Sequence, residues 1–128
     1  MKKILIVEDE VLLLSFLQQR IEKENFQVDI ACDGDEAAKL IAKNKYDTIM
    51  VDLMLPFVSG FELIVNIRDD KRNAETPILV LSSLSDEHTI VETLSIGAND
   101  FLKKPVALNV LLTKLKVFVG ELTQLRSA

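Results

Sequence analysis

The sequence predicts an α/β domain built on one parallel sheet with helices on both faces, and three observations carry that prediction. Short β-like runs alternate five times with longer segments of helical period, and repeated βα alternation with right-handed crossovers permits little else. The first run, Ile4 to Val7, is continuously apolar, as expected of a strand covered on both faces. Acidic residues close the first and third runs, Glu8-Asp9 and Asp52, and such sheets bind ligands beyond the carboxyl ends of their strands.

The elements follow in order. After the strand Ile4 to Val7, Leu14, Leu17 and Ile21 recur on one side of a helix. Phe26 to Ala31 reads as a second strand. Asp33-Gly34 reads as a turn, with Asp35 placed to cap a helix carrying Ala37, Leu40 and Ile41 inward. Thr48 to Val51 is the third and central strand. Pro56 and Gly60 bracket a loop before a helix marked by Leu63, Ile64 and Ile67. Pro77 opens the fourth strand, Ile78 to Leu81. Asp86 then caps a helix bearing Ile90, Val91 and Leu94, which Gly97 ends. Phe101 and Leu102 form a short fifth strand, and everything after Pro105 reads as a last helix.

A chain of 128 residues fits one domain, expected to span residues 1–128, and can bury a sizeable core. Hydrophobic residues at 48% against 27% charged exclude a disordered chain. Twenty acids against 15 bases give a net charge of −5, which argues against direct nucleic-acid binding through bulk charge. Cys32, the single cysteine, has no disulfide or zinc partner and reads as a small, at least half-buried side chain. His88, the single histidine, reads as an exposed surface residue. The N-terminus lacks the long apolar stretch and cleavage site of a signal peptide, and no stretch approaches a membrane span. The expectation is a cytoplasmic protein without membrane contact.

With the strands side by side, Glu8, Asp9, Asp52 and Lys104 converge at one sheet edge. Two unit charges about 4 Å apart repel by roughly 4 kcal/mol at an effective dielectric near 20. Three carboxylates therefore push at least one pKa upward unless a cation intervenes. Mg²⁺ suits the set, since it favours one or two carboxylates, a carbonyl, waters and a phosphate oxygen. Asp52 is the candidate nucleophile, because a carboxylate can form an acyl phosphate. Lys104 offers a compact charge and Ser82 a hydroxyl to phosphoryl oxygens. Each residue has a plainer role as well: Glu8 or Asp9 as a helix cap, Lys104-Pro105 as a turn, Ser82 as any small strand-end residue. Their joint order on the right elements favours the chemical reading.

The ordered set Glu8-Asp9, Asp52-Leu53-Met54-Leu55-Pro56 through Gly60, Ser82-Ser83, Gly97-Ala98-Asn99-Asp100-Phe101 and Lys104-Pro105 resembles the receiver domain of bacterial two-component response regulators. The resemblance covers residues 2 to about 122. It implies a flavodoxin-like three-layer sandwich with strand order 2-1-3-4-5. It implies that Asp52 accepts a phosphoryl group from a sensor histidine kinase or phosphotransfer protein. Asp9, Asp52 and the Met54 carbonyl would bind Mg²⁺ directly and Glu8 through water, with Lys104 contacting the phosphoryl group and a cis bond to Pro105. Ser82 takes the switch-hydroxyl position and Phe101 the switch-aromatic position. Their movement would reshape the face of the fourth helix, fifth strand and last helix, which acts on an output domain or partner protein. Moving such an equilibrium from 1:99 to 99:1 takes about 5.5 kcal/mol. On this reading the chain is a signalling phosphoprotein that catalyses only its own phosphorylation and dephosphorylation.

Departures from the family pattern bear on detail. Phe101 lacks a phenolic hydroxyl, so burial alone must drive the switch. Ser83 and Val106 replace the more usual alanine and phenylalanine. Met54 and Leu84, two beyond Asp52 and Ser82, are apolar and imply slow self-dephosphorylation. Ile90, Ser95 and Val110 stand where the winged-helix branch has an arginine and two glutamates, so its dimer signature is missing.

In the last helix, expected over about 106–126, Leu108, Leu115 and Leu122 fall seven apart, as do Leu111, Phe118 and Leu125. That a/d-like seam reads either as core or as a homodimer or linker contact, with Leu112 and Val119 facing the sheet and Gly120 weakening the helix. Three rivals remain. An aspartate-nucleophile phosphohydrolase needs an acid where Met54 stands. A flavin module needs a hydroxyl- and glycine-rich loop where Glu8-Asp9-Glu10 stands. A phosphorylation-independent docking module has no use for the intact acid set.

Overall fold

The computed structural model describes residues 1–122. Ten elements alternate strictly: β1 (Lys3–Val7), α1 (Val11–Glu22), β2 (Gln27–Ala31), α2 (Gly34–Lys43), β3 (Thr48–Asp52), α3 (Gly60–Asp69), β4 (Ile78–Ser82), α4 (Glu87–Ser95), β5 (Asp100–Lys103) and α5 (Leu108–Phe118). All strand pairs are parallel, in the order β2-β1-β3-β4-β5. The expected α/β fold class and strand order are both found.

Period-two alternation divides the core into two layers. Leu5, Val7, Ile49, Val51, Ile78 and Val80 point to the side covered by Ala37 and Ile41 of α2 and Leu63, Ile64 and Ile67 of α3. Ile4, Ile6, Met50, Leu79 and Leu81 point to the other side, against Leu14, Leu17 and Ile21 of α1 and Leu111, Leu112 and Leu115 of α5. Each fully buried Ile or Leu contributes about 1.5–3 kcal/mol.

Several local expectations are corrected. Asp33, not Asp35, caps α2: its extended backbone lets the carboxylate accept from Glu36 N at 2.8 Å, while Glu36 Oε1 reaches back to Cys32 N at 3.0 Å. Gly34 is thus the first helical residue and not part of a turn. Cys32 is exposed, not half-buried, whereas His88 is exposed as expected. Asp86 does cap α4, accepting from Thr89 N at 3.1 Å. The inward face of α4, however, carries Thr89 and Thr93, and Val91 and Leu94 are exposed. Both threonine hydroxyls are satisfied locally, on Asp86 Oδ1 and the Ile90 carbonyl, so their burial leaves no unpaired donor.

The last helix begins at Leu108, two residues later than expected, and ends at Phe118, while residues 123–126 of the expected span lie outside the described residues. Gly120 adopts φ +83° just beyond it, where the Glu121 N–H closes back on the Lys116 carbonyl at 2.8 Å. Leu111 and Leu115 of the predicted seam are wholly buried, and Leu108 and Phe118 pack partly against the same cluster. The seam is therefore mostly core. Leu122 is exposed, and Leu125 lies outside the described residues.

One glycine fixes the loop that follows β3. A Cβ on Gly60 would stand 2.3 Å from the Asp52 carbonyl oxygen and 2.5 Å from Leu53 Cα, both backbone atoms. Gly60→Ala is expected to force the loop outward and cost about 1–3 kcal/mol, as overpacking does, read as a lowered urea midpoint. A midpoint within error of wild type would show that the loop yields without cost.

Candidate functional site

Register brings the strand ends together. Val7 stands opposite Val51, Asp52 opposite Leu81, and Ser82 opposite Lys103. The residues just beyond β1 and β5, Glu8-Asp9 and Lys104, therefore flank Asp52 at the carboxyl edge of the sheet. Glu8, Asp9 and Asp52 each offer a carboxylate oxygen, and these oxygens lie within 4.8 Å of one another. Glu8 and Asp52 are buried, and Asp9 opens to solvent.

Lys104 Nζ sits among carboxylates, 2.7 Å from Glu8 Oε1, 2.8 Å from Glu10 Oε2 and 3.0 Å from Asp52 Oδ2. Burial works against its charge, but the bonds to Glu10, Glu8 and Asp52 outweigh it and hold its pKa above the ordinary lysine value. Burial likewise pushes the Glu8 carboxyl up to about 7. Lys104 and the Glu10 N–H pull it down, and the Asp52 charge adds to the rise. The other Asp52 oxygen, Oδ1, accepts from Met54 N at 3.1 Å.

The donor set fits a hard divalent cation. Three carboxylates supply the oxygens that such ions prefer. Glu8 Oε1 is buried and contacts the Lys104 ammonium off the angle of a hydrogen bond, so it has no hydrogen-bond partner. With the ammonium as an ion-pair contact and no hydrogen bond accepted, that oxygen keeps lone-pair capacity for a second cation.

The remaining predicted residues lie on β4 and β5 and in the loops beyond β3 and β4. Ser82 is fully buried, its Oγ accepting from Leu84 N at 3.0 Å and its carbonyl from Lys104 N at 2.9 Å. Phe101 is half-buried against the layer under α2 and α3. Met54 and Leu84 expose their side chains. The Lys104–Pro105 bond is cis. Glu10 was not among the predicted site residues, although it follows Glu8-Asp9 directly. Its reach to Lys104, 94 positions away, depends on how two loops meet. Among the described residues, no helix is long and apolar enough to cross a membrane.

Comparison with known proteins agrees with this geometry. A family model described as the response regulator receiver domain matches residues 4–116. The chain is 40% identical over 119 residues to response regulator ArlR of Staphylococcus saprophyticus and 36% identical to that of Staphylococcus aureus. Each match covers 93% of this chain and 53% of the relative, so the chain spans about half the length of the curated relatives it matches. Among solved structures, a Francisella response regulator receiver domain superposes with TM-score 0.87 at 31% identity, covering 94% of this chain and 98% of that one. The receiver domain of a Pseudomonas aeruginosa sensor histidine kinase, solved with a magnesium ion coordinated in its active-site cleft, superposes with TM-score 0.86 at 26% identity over 93% of this chain and 98% of that one. With its five parallel strands and the acid cluster at their carboxyl edge, the chain belongs to the response regulator receiver domain family.

Proposed function

We propose that this domain is a Mg²⁺-dependent phosphoacceptor switch of a two-component phosphorelay, with Asp52 the residue phosphorylated. The supporting observation is the placement of Asp52 at the end of the central strand, 3.0 Å from the Lys104 ammonium and within ligand distance of Glu8 and Asp9. An oxygen of Asp52 attacks the phosphorus of a phosphohistidine on a sensor kinase or phosphotransfer protein. The O–P bond forms as the N–P bond breaks, and the electron pair leaves on the imidazole nitrogen, which takes up a proton.

Asp9, Asp52 and the Met54 carbonyl would hold Mg²⁺, with Glu8 acting through water. When bound, the ion neutralises charge on the phosphoryl oxygens. Lys104 supplies the second positive charge, and the Met54 N–H keeps the carboxylate oriented. Ser82 leaves the Leu84 N–H for a phosphoryl oxygen, Phe101 turns inward, and the α4-β5-α5 face changes shape. The output is a tethered domain or a cytoplasmic partner protein.

Intact-mass analysis of the full chain after incubation with acetyl phosphate tests the reading. One phosphoryl adduct is expected with Mg²⁺ and none in excess chelator. No adduct with either acetyl phosphate or a phosphorylated histidine kinase would favour a phosphorylation-independent docking module.

A further inference from the structure

An ammonium has three N–H donors. Three carboxylates crowd Lys104 Nζ: Glu10 at 2.8 Å and Asp52 at 3.0 Å accept hydrogen bonds from it, and Glu8 lies 2.7 Å away in ion-pair contact. A phosphoryl oxygen on Asp52 competes with these carboxylates for the ammonium and engages it most fully once one of them releases it. The three differ in how readily they can do so. The Glu8 side chain is wholly buried and that of Asp52 is 7% exposed, and both belong to the cluster suited to a cation. The Glu10 side chain is 63% exposed and lies outside that cluster.

Glu10 has no competing structural duty for its carboxylate. It occupies the N-cap of α1 but makes no side-chain cap bond. Its backbone is tethered through its N–H to Glu8 Oε2 at 3.0 Å, which sets the carboxylate over Lys104. Glu10 and Lys104 also share a surface groove of about 440 Å³ with Leu13, Ser83, Pro105 and Val106. Of the three carboxylates on the ammonium, only that of Glu10 can swing into water without burying an unpaired charge.

We propose that Glu10 is a positioning residue that holds Lys104 back from the phosphoryl site, so that phosphorylation of Asp52 is slowed while the Glu10–Lys104 pair is closed. This inference rests on the reading of Asp52 as phosphoacceptor. Glu10 acts through the lysine, as a brake on the resting domain.

The test is the rate of adduct formation from acetyl phosphate at saturating Mg²⁺, followed by intact mass on the full chain. In that reaction the Asp52 O–P bond forms and acetate leaves with the electron pair of the broken P–O bond. Glu10→Gln removes the charge. Glu10→Asp keeps the charge but retracts it by one methylene. Both variants are expected to react about two- to fivefold faster than wild type, the range that an exposed ion pair contributes. In a Lys104→Ala background, where the residual rate is followed over longer times, Glu10→Gln is expected to give no gain.

Three results would overturn the inference: no acceleration in Glu10→Gln, acceleration in Glu10→Gln but not in Glu10→Asp, or a gain that persists without Lys104. The second would leave only repulsion between Glu10 and an anionic donor. A wild-type chain that takes up no phosphoryl group would instead remove the phosphoacceptor reading beneath it.

Discussion

Asp52→Asn is expected to take up no detectable phosphoryl group under conditions that label the wild type fully. The amide is nearly isosteric, and its oxygen can still accept from Met54 N as Asp52 Oδ1 does at 3.1 Å. What the substitution removes is the anionic oxygen, and an amide is a poor nucleophile toward phosphorus. It also removes one of three clustered carboxylates and the 3.0 Å partner of Lys104. These act in opposite directions on stability, relieving repulsion while losing an ion pair. Net stability is expected to stay within about 1 kcal/mol of wild type. Urea unfolding beside intact-mass analysis therefore separates lost chemistry from lost fold. An adduct forming at the wild-type rate in the variant would place the nucleophile elsewhere, with Asp9 and Glu8 the neighbours to test next.

The largest effect on stability is expected far from that site. Asn73 is fully buried in the loop between α3 and β4, and its side chain uses both ends. Its Oδ1 accepts from Tyr46 N at 2.9 Å and from Thr76 Oγ1 at 3.0 Å. Its Nδ2 donates to the carbonyls of Ile41 at 3.2 Å and Asn44 at 2.7 Å. One side chain thus ties the end of α2, the start of β3 and the approach to β4. Asn73→Ala leaves buried backbone groups without partners, at about 1–3 kcal/mol each. A total loss of about 3–5 kcal/mol is expected, a large share of a small domain's stability. Asn73→Asp keeps the acceptors but loses the donors and buries a charge beside two carbonyls, so it is expected to be at least as damaging. A loss under about 1 kcal/mol for either variant, measured by urea unfolding, would show that water replaces the amide in this network.

The α/β class was legible because burial on both faces demands apolar strands, and such runs stand out in a sequence. Helix spans were less legible where the inward face is not apolar. Ile90, Val91 and Leu94 suggested one face for α4, yet Thr89 and Thr93 point inward because their hydroxyls find acceptors within the helix turn or its cap. The seam on the last helix left core and partner contact both open, for a different reason. Heptad spacing is the same whether a helix packs on a partner or on its own sheet, and Leu111 and Leu115 pack on the sheet. Helix length depended on Gly120, whose left-handed conformation accompanies the stop after Phe118.

By itself the sequence determined the order and type of the elements, the family to which the chain belongs, and the acids and lysine that gather at the strand ends. Those follow from local pattern: apolar runs make strands, and parallel strands bring their carboxyl ends to one edge. Tertiary structure alone decided that Glu10 closes on Lys104, that Asn73 joins three segments, and that Gly60 must lack a Cβ. Each of these depends on contacts between loops distant in sequence, where a shift of an ångström changes a partner and no periodicity records the distance.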